Sequence, residues 1–140
     1  MQTVIPRTEL RPEIDGVLDD EIWAQAVVIN DLHQVNPIDH GEPSQASVFY
    51  IVFSEDYFYL GARLYDTNPE EIRATTLIHG DGQISNDDRV SLFLDTFNNG
   101  LTGFHFIVNP NGTRVESVYE DPSSRNFNWN GIWQAASSID

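Results

Sequence analysis

The residues from 87 to 96, DDRVSLFLDT, carry the clearest strand pattern in the sequence. Val90, Leu92 and Leu94 alternate along the chain with Ser91, Phe93 and Asp95. One face of this segment is therefore aliphatic, as in a strand that has one face on a core. The pattern predicts a central strand that begins at a dense acidic cluster.

Similar alternation, interrupted by turn residues, recurs along the chain. The sequence Asn98-Asn99-Gly100 predicts a hairpin turn, because asparagine and glycine tolerate positive φ. Further strands are predicted at 46–53, 57–66, 104–108 and 114–119, helical turns at 19–26 and 66–73, and a polar loop at 121–126. Short strands with regular turns predict an all-β fold, an antiparallel β-sandwich of the jelly-roll kind with one or two short helical turns.

The composition limits the number of domains and the kinds of partner. With 140 residues, 40% of them hydrophobic, the chain is expected to form a single domain over 1–140. Seven basic and twenty-two acidic residues give a net charge of −15, which disfavours nucleic acid and anionic membranes as partners. The chain has no cysteine, which excludes disulfides and thiolate metal sites. No apolar run approaches the length of a membrane helix, so direct membrane insertion is not expected.

Four separated groups of residues resemble the pattern of family 9 carbohydrate-binding-module-like domains. In order along the chain they are IDG (14–16) with DDEIW (19–23), YFYLGAR (57–63) with YD (65–66), DDRV (87–90) with LFLD (92–95), and WNGIW (129–133). The chain looks most like the subgroup found at the N-terminus of large bacterial secreted or outer-membrane proteins. The four groups span nearly the whole chain and are more specific for the fold than for the ligand.

This resemblance implies a jelly-roll β-sandwich, often with structural calcium, in an extracellular, periplasmic or outer-membrane-associated protein. It also implies one or two strands beyond the second tryptophan, which this sequence lacks. The family's sugar-binding positions are only partly matched. Its stacking aromatic falls at Ser85 or Asn86, its glutamate at Ser91 and its arginine at Ile107, whereas its asparagine is present as Asn109.

The candidate ligand-binding residues lie near the C-terminus, apart from Asn109. Sugar recognition needs a flat aromatic surface beside planar polar groups that replace water at the hydroxyls. Trp129 and Trp133, with Arg125 and Asn128, have that composition. The spacing leaves open which tryptophan is exposed. Trp23, by contrast, is predicted to be a core residue of the first helical turn.

Asp81, Asp87 and Asp88 are the candidate calcium ligands, because calcium prefers carboxylate and carbonyl oxygens. The spacing of a helix-loop-helix calcium loop is missing. A salt bridge between Asp88 and Arg89 that fixes the start of the strand is an equally good interpretation, and for Asp95 the alternative is a hydrogen bond to a turn backbone.

These observations together favour a non-catalytic carbohydrate-binding module. Its partner would be a polysaccharide or oligosaccharide, and its parent a larger exported protein that degrades or takes up polysaccharide, such as a glycoside hydrolase. The alternative is a structural or interaction domain that contacts other domains of its parent and binds no sugar. An enzyme is the last option, because paired carboxylates carry little information in so acidic a chain.

Overall fold

The structure, a computed structural model, describes residues 2–140. Its regular elements are α1 (Ile22–Gln25), β1 (Val27–Ile29), β2 (Ser47–Phe53), β3 (Phe58–Leu64), β4 (Val90–Leu94), β5 (Gly103–Val108), β6 (Arg114–Asp121) and β7 (Ser124–Asn126), with 3₁₀ turns at Pro69–Glu71 and Gly82–Asn86. All strand pairs within the sheets are antiparallel. The predicted all-β antiparallel fold with short helical turns is confirmed, with one sheet of three strands and one of four.

The chain divides into two compact units. The first contains the described residues up to Glu13 together with Leu18–Glu70, and its sheet has the order β1-β2-β3. The second contains Ile14–Val17 and Glu71–Asp140, and its sheet has the order β4-β5-β6-β7. The expectation of a single domain over 1–140 stays a prediction.

The core of the first unit forms around α1 and β2. Ile22, Trp23 and Val52 are buried together, so the predicted core role of Trp23 is confirmed. The six-membered ring of Trp23 lies so close to Gly61 on β3 that a Cβ there would be 3.0 Å from Cζ3. Glycine at this position allows the close approach, and a larger residue would push the indole outwards.

The strand that begins at Val90 shows the expected alternation but not the expected place in its sheet. Val90, Leu92 and Leu94 are half-buried, whereas Ser91 and Phe93 are exposed. However, β4 pairs only with β5 and is an edge strand of the four-stranded sheet, so the prediction of a central strand is wrong. Alternation reports which face of a strand is covered, and it carries no information about how many neighbours the strand has.

The sheet of the second unit has two faces of different chemistry. Paired residues of antiparallel strands lie on the same face, and neighbours along a strand lie on opposite faces. The Phe106 face contains Leu92, Leu94, Phe104, Phe106, Arg114, Glu116 and Val118. The His105 face contains Ser91, Phe93, His105, Ile107, Val115, Ser117, Tyr119 and Arg125.

The predicted polar loop at 121–126 instead forms a tight hairpin, in which Ser124–Asn126 pairs with the end of β6 as strand β7. Arg125 lies opposite Tyr119, with a register shift between Tyr119 and Asp121. The prediction is wrong because an edge strand of polar residues lacks the apolar alternation by which strands are recognised. The Asp121 carboxylate supports the turn by accepting the hydroxyl and backbone N–H of Ser123.

Within residues 2–140, no helix combines the length and the apolar character needed to cross a membrane.

Candidate functional site

The His105 face carries a phenyl ring that stacks on an imidazole of the neighbouring strand. Phe93 and His105 are directly opposite each other in the β4–β5 hairpin, and their rings stack at 3.8 Å with an interplanar angle of 14°. Phe93 is 60% exposed, whereas His105 is only 6% exposed. One side of the phenyl ring therefore covers the imidazole, and the other side is open to solvent.

The turn after β4 holds this pair in register. Backbone N–H groups of Gly100, Asn99 and Phe97 donate to the Asp95 carboxylate, the Gly100 bond being the shortest at 2.7 Å. The Gly100 hydrogen bond is the largest cause of the lowered pKa of Asp95. Asp95 is therefore a turn residue whose charge is balanced by backbone donors.

Arg125 reaches from β7 across the neighbouring strand to the histidine. Its Nε donates to Ser117 Oγ at 2.8 Å and its Nη2 donates to His105 Nδ1 at 2.6 Å. The guanidinium carbon lies 4.2 Å from the ring centre of Phe127 and 5.4 Å from that of Tyr119. Two hydrogen bonds and two aromatic rings thus hold the guanidinium in one orientation.

The protonation state of His105 follows from this contact. A guanidinium only donates hydrogen bonds, so Nδ1 must be the acceptor and the imidazole must be neutral with its proton on Nε2. Burial, followed by repulsion from Arg125 and Arg89, lowers the pKa of His105 from 6.5 to about 4. The imidazole therefore positions Arg125 without neutralising its positive charge.

An open groove of about 330 Å³ lies at the same end of the sheet. Its walls include Phe93 and Tyr119 on one side and Leu101 and Pro122 from the two neighbouring turns. At the opposite end of the His105 face, Ile84 from a 3₁₀ turn packs on Ile107 and Val115 and buries them. The face is thus closed at one end and open around Phe93.

Trp129 and Trp133 contact the Phe106 face of the sheet. The Trp129 ring packs 5.0 Å from Phe104, and the Trp133 ring packs edge-on 5.1 Å from Phe106. Arg114 lies over the Trp133 ring and donates to the Trp133 carbonyl oxygen. Both tryptophans are half-buried, and the indole nitrogen of Trp133 is buried without an acceptor among residues 2–140.

Because Gly131 has no side chain, the backbone can run close to the indole ring of Trp129. A Cβ at this position would be 2.7 Å from Cη2 of Trp129, which is too close for any side chain. The segment from 129 to 133 therefore folds closely around its own tryptophan. Its aromatic surface is turned towards Phe104 and Phe106.

Asn109, the position that matches the family pattern, is buried in a network at the end of β5. Its Nδ2 donates to Thr76 O and to Asp87 Oδ2, and its Oδ1 accepts from the backbone N–H groups of Thr113 and Asn111. These four bonds use both donors and both lone pairs of the amide. The contacts give Asn109 a structural role in joining two loops to the strand end.

Asp87 is the charged member of this network. It accepts the backbone N–H and hydroxyl of Thr75, the N–H of Thr76 and the amide of Asn109. Burial alone would raise the pKa of Asp87, but these hydrogen bonds outweigh it and hold the pKa well below its usual range. The carboxylate therefore remains ionised inside the fold.

The three candidate calcium ligands do not come together. Asp87 is bonded as described above, Asp88 accepts from the backbone N–H of Arg73, and Asp81 caps a 3₁₀ turn by accepting from Gln83. No group of three or more His, Cys, Asp or Glu side chains within residues 2–140 could hold one metal ion. These residues do not fit a shared calcium ion, and calcium binding stays a prediction.

A second hollow, of about 310 Å³, lies in the first unit beside His33 and between the segments 30–33 and 42–47. Loop residues form most of its lining, and His33 is the one ring-bearing side chain other than Pro43. This hollow lacks the flat aromatic surface and the fixed cation of the His105 face. We therefore take the His105 face as the candidate site.

No protein family, no curated protein and no solved structure matches the chain. The resemblance to family 9 carbohydrate-binding-module-like domains stays a prediction.

The structure separates the five predicted ligand-binding residues. Arg125 lies on the His105 face, whereas Trp129 and Trp133 contact the opposite face. Asn109 is buried, and Asn128 is exposed with its backbone N–H bonded to Asn126 Oδ1. Of the five, the candidate site contains Arg125 alone.

The sequence reasoning missed Phe93, His105, Ser117, Tyr119 and Phe127 as site residues. One signal was present, because Phe93 is a large aromatic residue on the face of the strand that also carries Ser91 and Asp95. An exposed aromatic among polar residues is a typical feature of a binding surface. The contact of Arg125 with His105 had no such signal, since it depends on the pairing of three strands.

Proposed function

We propose that this chain is a non-catalytic carbohydrate-binding module that binds its ligand on the His105 face. The observation that carries the proposal is the phenyl ring of Phe93, which lies flat on His105 and is 60% exposed. A flat, rigid aromatic surface matches the apolar face of a pyranose ring. Because the ring is already fixed by stacking, little side-chain entropy is lost when a sugar covers it.

Polar groups beside this ring provide the hydrogen bonds that sugar hydroxyls require. The guanidinium of Arg125 contacts the histidine that supports Phe93, and Tyr119 lines the same groove. Arg125 uses two of its five N–H donors in the contacts described for residues 2–140. The remaining donors are suited to hydroxyl or carboxylate oxygens.

A binding role is favoured over glycoside hydrolysis. Hydrolysis requires two carboxyl groups that flank the scissile bond. Among the described residues that line the groove, Asp95 is the one carboxylate, and backbone N–H groups of its own turn occupy it. The groove thus offers an aromatic surface and donors without the pair that the chemistry needs.

The experiment is isothermal titration of the folded chain with oligosaccharides of xylan and cellulose and with their uronate-bearing derivatives. We expect saturable binding that Phe93→Ala weakens about tenfold or more, since burial of an aromatic side chain contributes roughly 1.5–3 kcal/mol. Tyr65→Ala is the matched control, because Tyr65 is also a half-exposed aromatic residue and lies after β3 in the first unit. It should change the affinity less than twofold.

The same titration tests the alternative function. If no glycan binds to a chain with a cooperative melting transition, the proposal fails and a structural or interaction domain becomes the better interpretation. If Phe93→Ala and Tyr65→Ala bind a glycan equally well, sugar is bound elsewhere and the His105 face is not the site.

A further inference from the structure

The His105 face of this strongly acidic protein carries the positively charged Arg125. The chain has seven basic residues against twenty-two acidic ones. Two of the seven, Arg125 and Arg89, act on His105 by Coulombic repulsion. Arg89 immediately precedes β4.

Neither arginine is neutralised by the protein. Within residues 2–140, ion pairs involve Arg7, Arg11 and His79, and no carboxylate lies within 4.0 Å of Arg89 or Arg125. Arg89 instead donates to backbone carbonyl groups of Ser85 and Asp87. In a chain with so many acids, the guanidinium of Arg125 is thus a fixed positive group without a carboxylate partner among the described residues.

The contacts of Arg125 orient its charge without cancelling it. Neutral His105 and the Ser117 hydroxyl accept two of its N–H groups, and Phe127 and Tyr119 hold the plane of the group. A fixed guanidinium plane with open donors matches the geometry of a carboxylate. Sugar hydroxyls alone would not need a full positive charge at this position.

We propose that the glycan bound at this face carries a uronic acid, whose carboxylate pairs with Arg125 while a neighbouring sugar ring covers Phe93. This inference rests on the proposed carbohydrate-binding function and specifies its ligand class. Asp95, the one carboxylate among the described residues that line the groove, is already occupied by backbone N–H groups of its own turn.

The overall charge of the protein further defines this ligand. A net charge of −15 repels a chain that bears a carboxylate on every sugar. At physiological ionic strength charges are screened beyond about 8 Å, so a single carboxylate beside Arg125 experiences mainly the local positive field. The expected ligand is therefore a largely neutral polysaccharide with isolated uronate branches, and polyuronates should bind more weakly.

The test uses three matched pairs of oligosaccharides, with xylan, β-glucan and galactan backbones. Each pair has one glucuronic acid branch in its natural form and in a carboxyl-reduced form, and hexagalacturonate serves as the fully charged probe. We expect at least one natural form to bind about tenfold or more tightly than its reduced partner, as charge-assisted hydrogen bonds predict. Raising the salt concentration from 50 to 500 mM should weaken the binding of the natural form and leave the binding of the reduced form unchanged.

Arg125→Gln should remove the preference for the natural form, and Arg125→Lys should keep part of it. Arg63→Gln is the control, since Arg63 is exposed on β3 and the substitution changes the net charge equally. The salt dependence of the unmodified protein decides the question if Arg125→Gln does not fold.

The outcomes separate the two proposals. Equal, salt-independent binding of natural and reduced forms overturns the uronate inference and leaves the carbohydrate-binding function standing. Tighter binding of hexagalacturonate than of any branched form overturns the requirement for isolated charge. Absence of binding to every oligosaccharide by the folded protein overturns both proposals.

Discussion

Both faces of the sheet formed by β4–β7 carry aromatic residues, but the two faces differ in how far other residues of the chain cover them. On the Phe106 face, Phe104 and Phe106 are half-buried beneath Trp129 and Trp133. On the His105 face, Phe93 covers a histidine and is itself left open. The comparison shows that an aromatic side chain identifies a binding surface only when no other part of the chain covers it.

The difference also reverses the roles that composition alone suggested. The two tryptophans have the larger aromatic surface, and polar side chains surround them in the sequence. In the fold that surface contacts other aromatic rings of the same unit, so its energy contributes to stability. The smaller phenyl ring of Phe93 remains available to a ligand.

The largest expected effect is the loss of stability when the tryptophan is removed from the Phe106 face. Trp133→Ala should lower the free energy of unfolding by roughly 3–5 kcal/mol, since its packing on Phe106 and Arg114 would be lost. Phe93→Ala should lower it by less than about 1 kcal/mol, because most of this ring is already in water. Urea denaturation of both variants measures the difference.

One result would reverse the roles assigned to the two faces of the sheet. If Trp133→Ala abolished glycan binding and left stability intact, the Phe106 face would be the ligand surface, as the sequence first suggested.

A smaller effect is expected from pH through His105. Its pKa is lowered from 6.5 to about 4 in the folded protein, so the unfolded chain binds the additional proton between these values. Protonation of His105 should therefore not lower the free energy of unfolding above pH 6.5. Below pH 6.5 the free energy of unfolding should fall as the pH decreases towards 4, by at most about 1.4 kcal/mol per pH unit for one proton. In the His105→Asn variant, the free energy of unfolding should change less with pH over this range.

The measurement is the free energy of unfolding of both proteins at several pH values between 4 and 7.5. Subtracting the two curves removes the contribution of the other three histidines. Identical slopes would mean that His105 is as easily protonated in the folded protein as in the unfolded one, which its contact with Arg125 does not allow.

The smallest effect is expected from removing calcium. Asp81, Asp87 and Asp88 already accept hydrogen bonds from N–H groups of the chain, so a chelator should leave the melting temperature unchanged within about 1 °C. Differential scanning calorimetry with calcium and with excess chelator makes this comparison. A fall of several degrees on chelation would show that these carboxylates do rearrange around an ion, as the family resemblance implies.

The strands and turns were largely predictable from local pattern. Alternation from Val90 to Leu94, the Asn-Asn-Gly turn and the return strand at 103–108 follow from side-chain period and backbone preference. The position of β4 at a sheet edge and the existence of β7 did not follow. Both depend on pairing between strands, to which a polar edge segment gives little local signal.

The candidate site was predictable only in part. Arg125 belongs to the expected set because of its proximity in sequence to Trp129 and Trp133. The structure places it instead beside His105, which lies twenty residues earlier in the chain. Asn109 matches the family pattern but does not belong to the candidate site. Its side-chain amide is fully occupied inside the fold by hydrogen bonds to Asp87 and to three backbone groups.

The sequence by itself determined the fold class, the short strands and the strong negative charge, because each depends on composition or on neighbours within a few residues. Only the tertiary structure decided which aromatic rings are covered and which cations lack a carboxylate. Those properties depend on contacts between residues such as Phe93, His105 and Arg125, which become neighbours only when strands pair. Hydrogen bonding between strands sets these contacts, whereas local alternation sets only the face on which each residue lies.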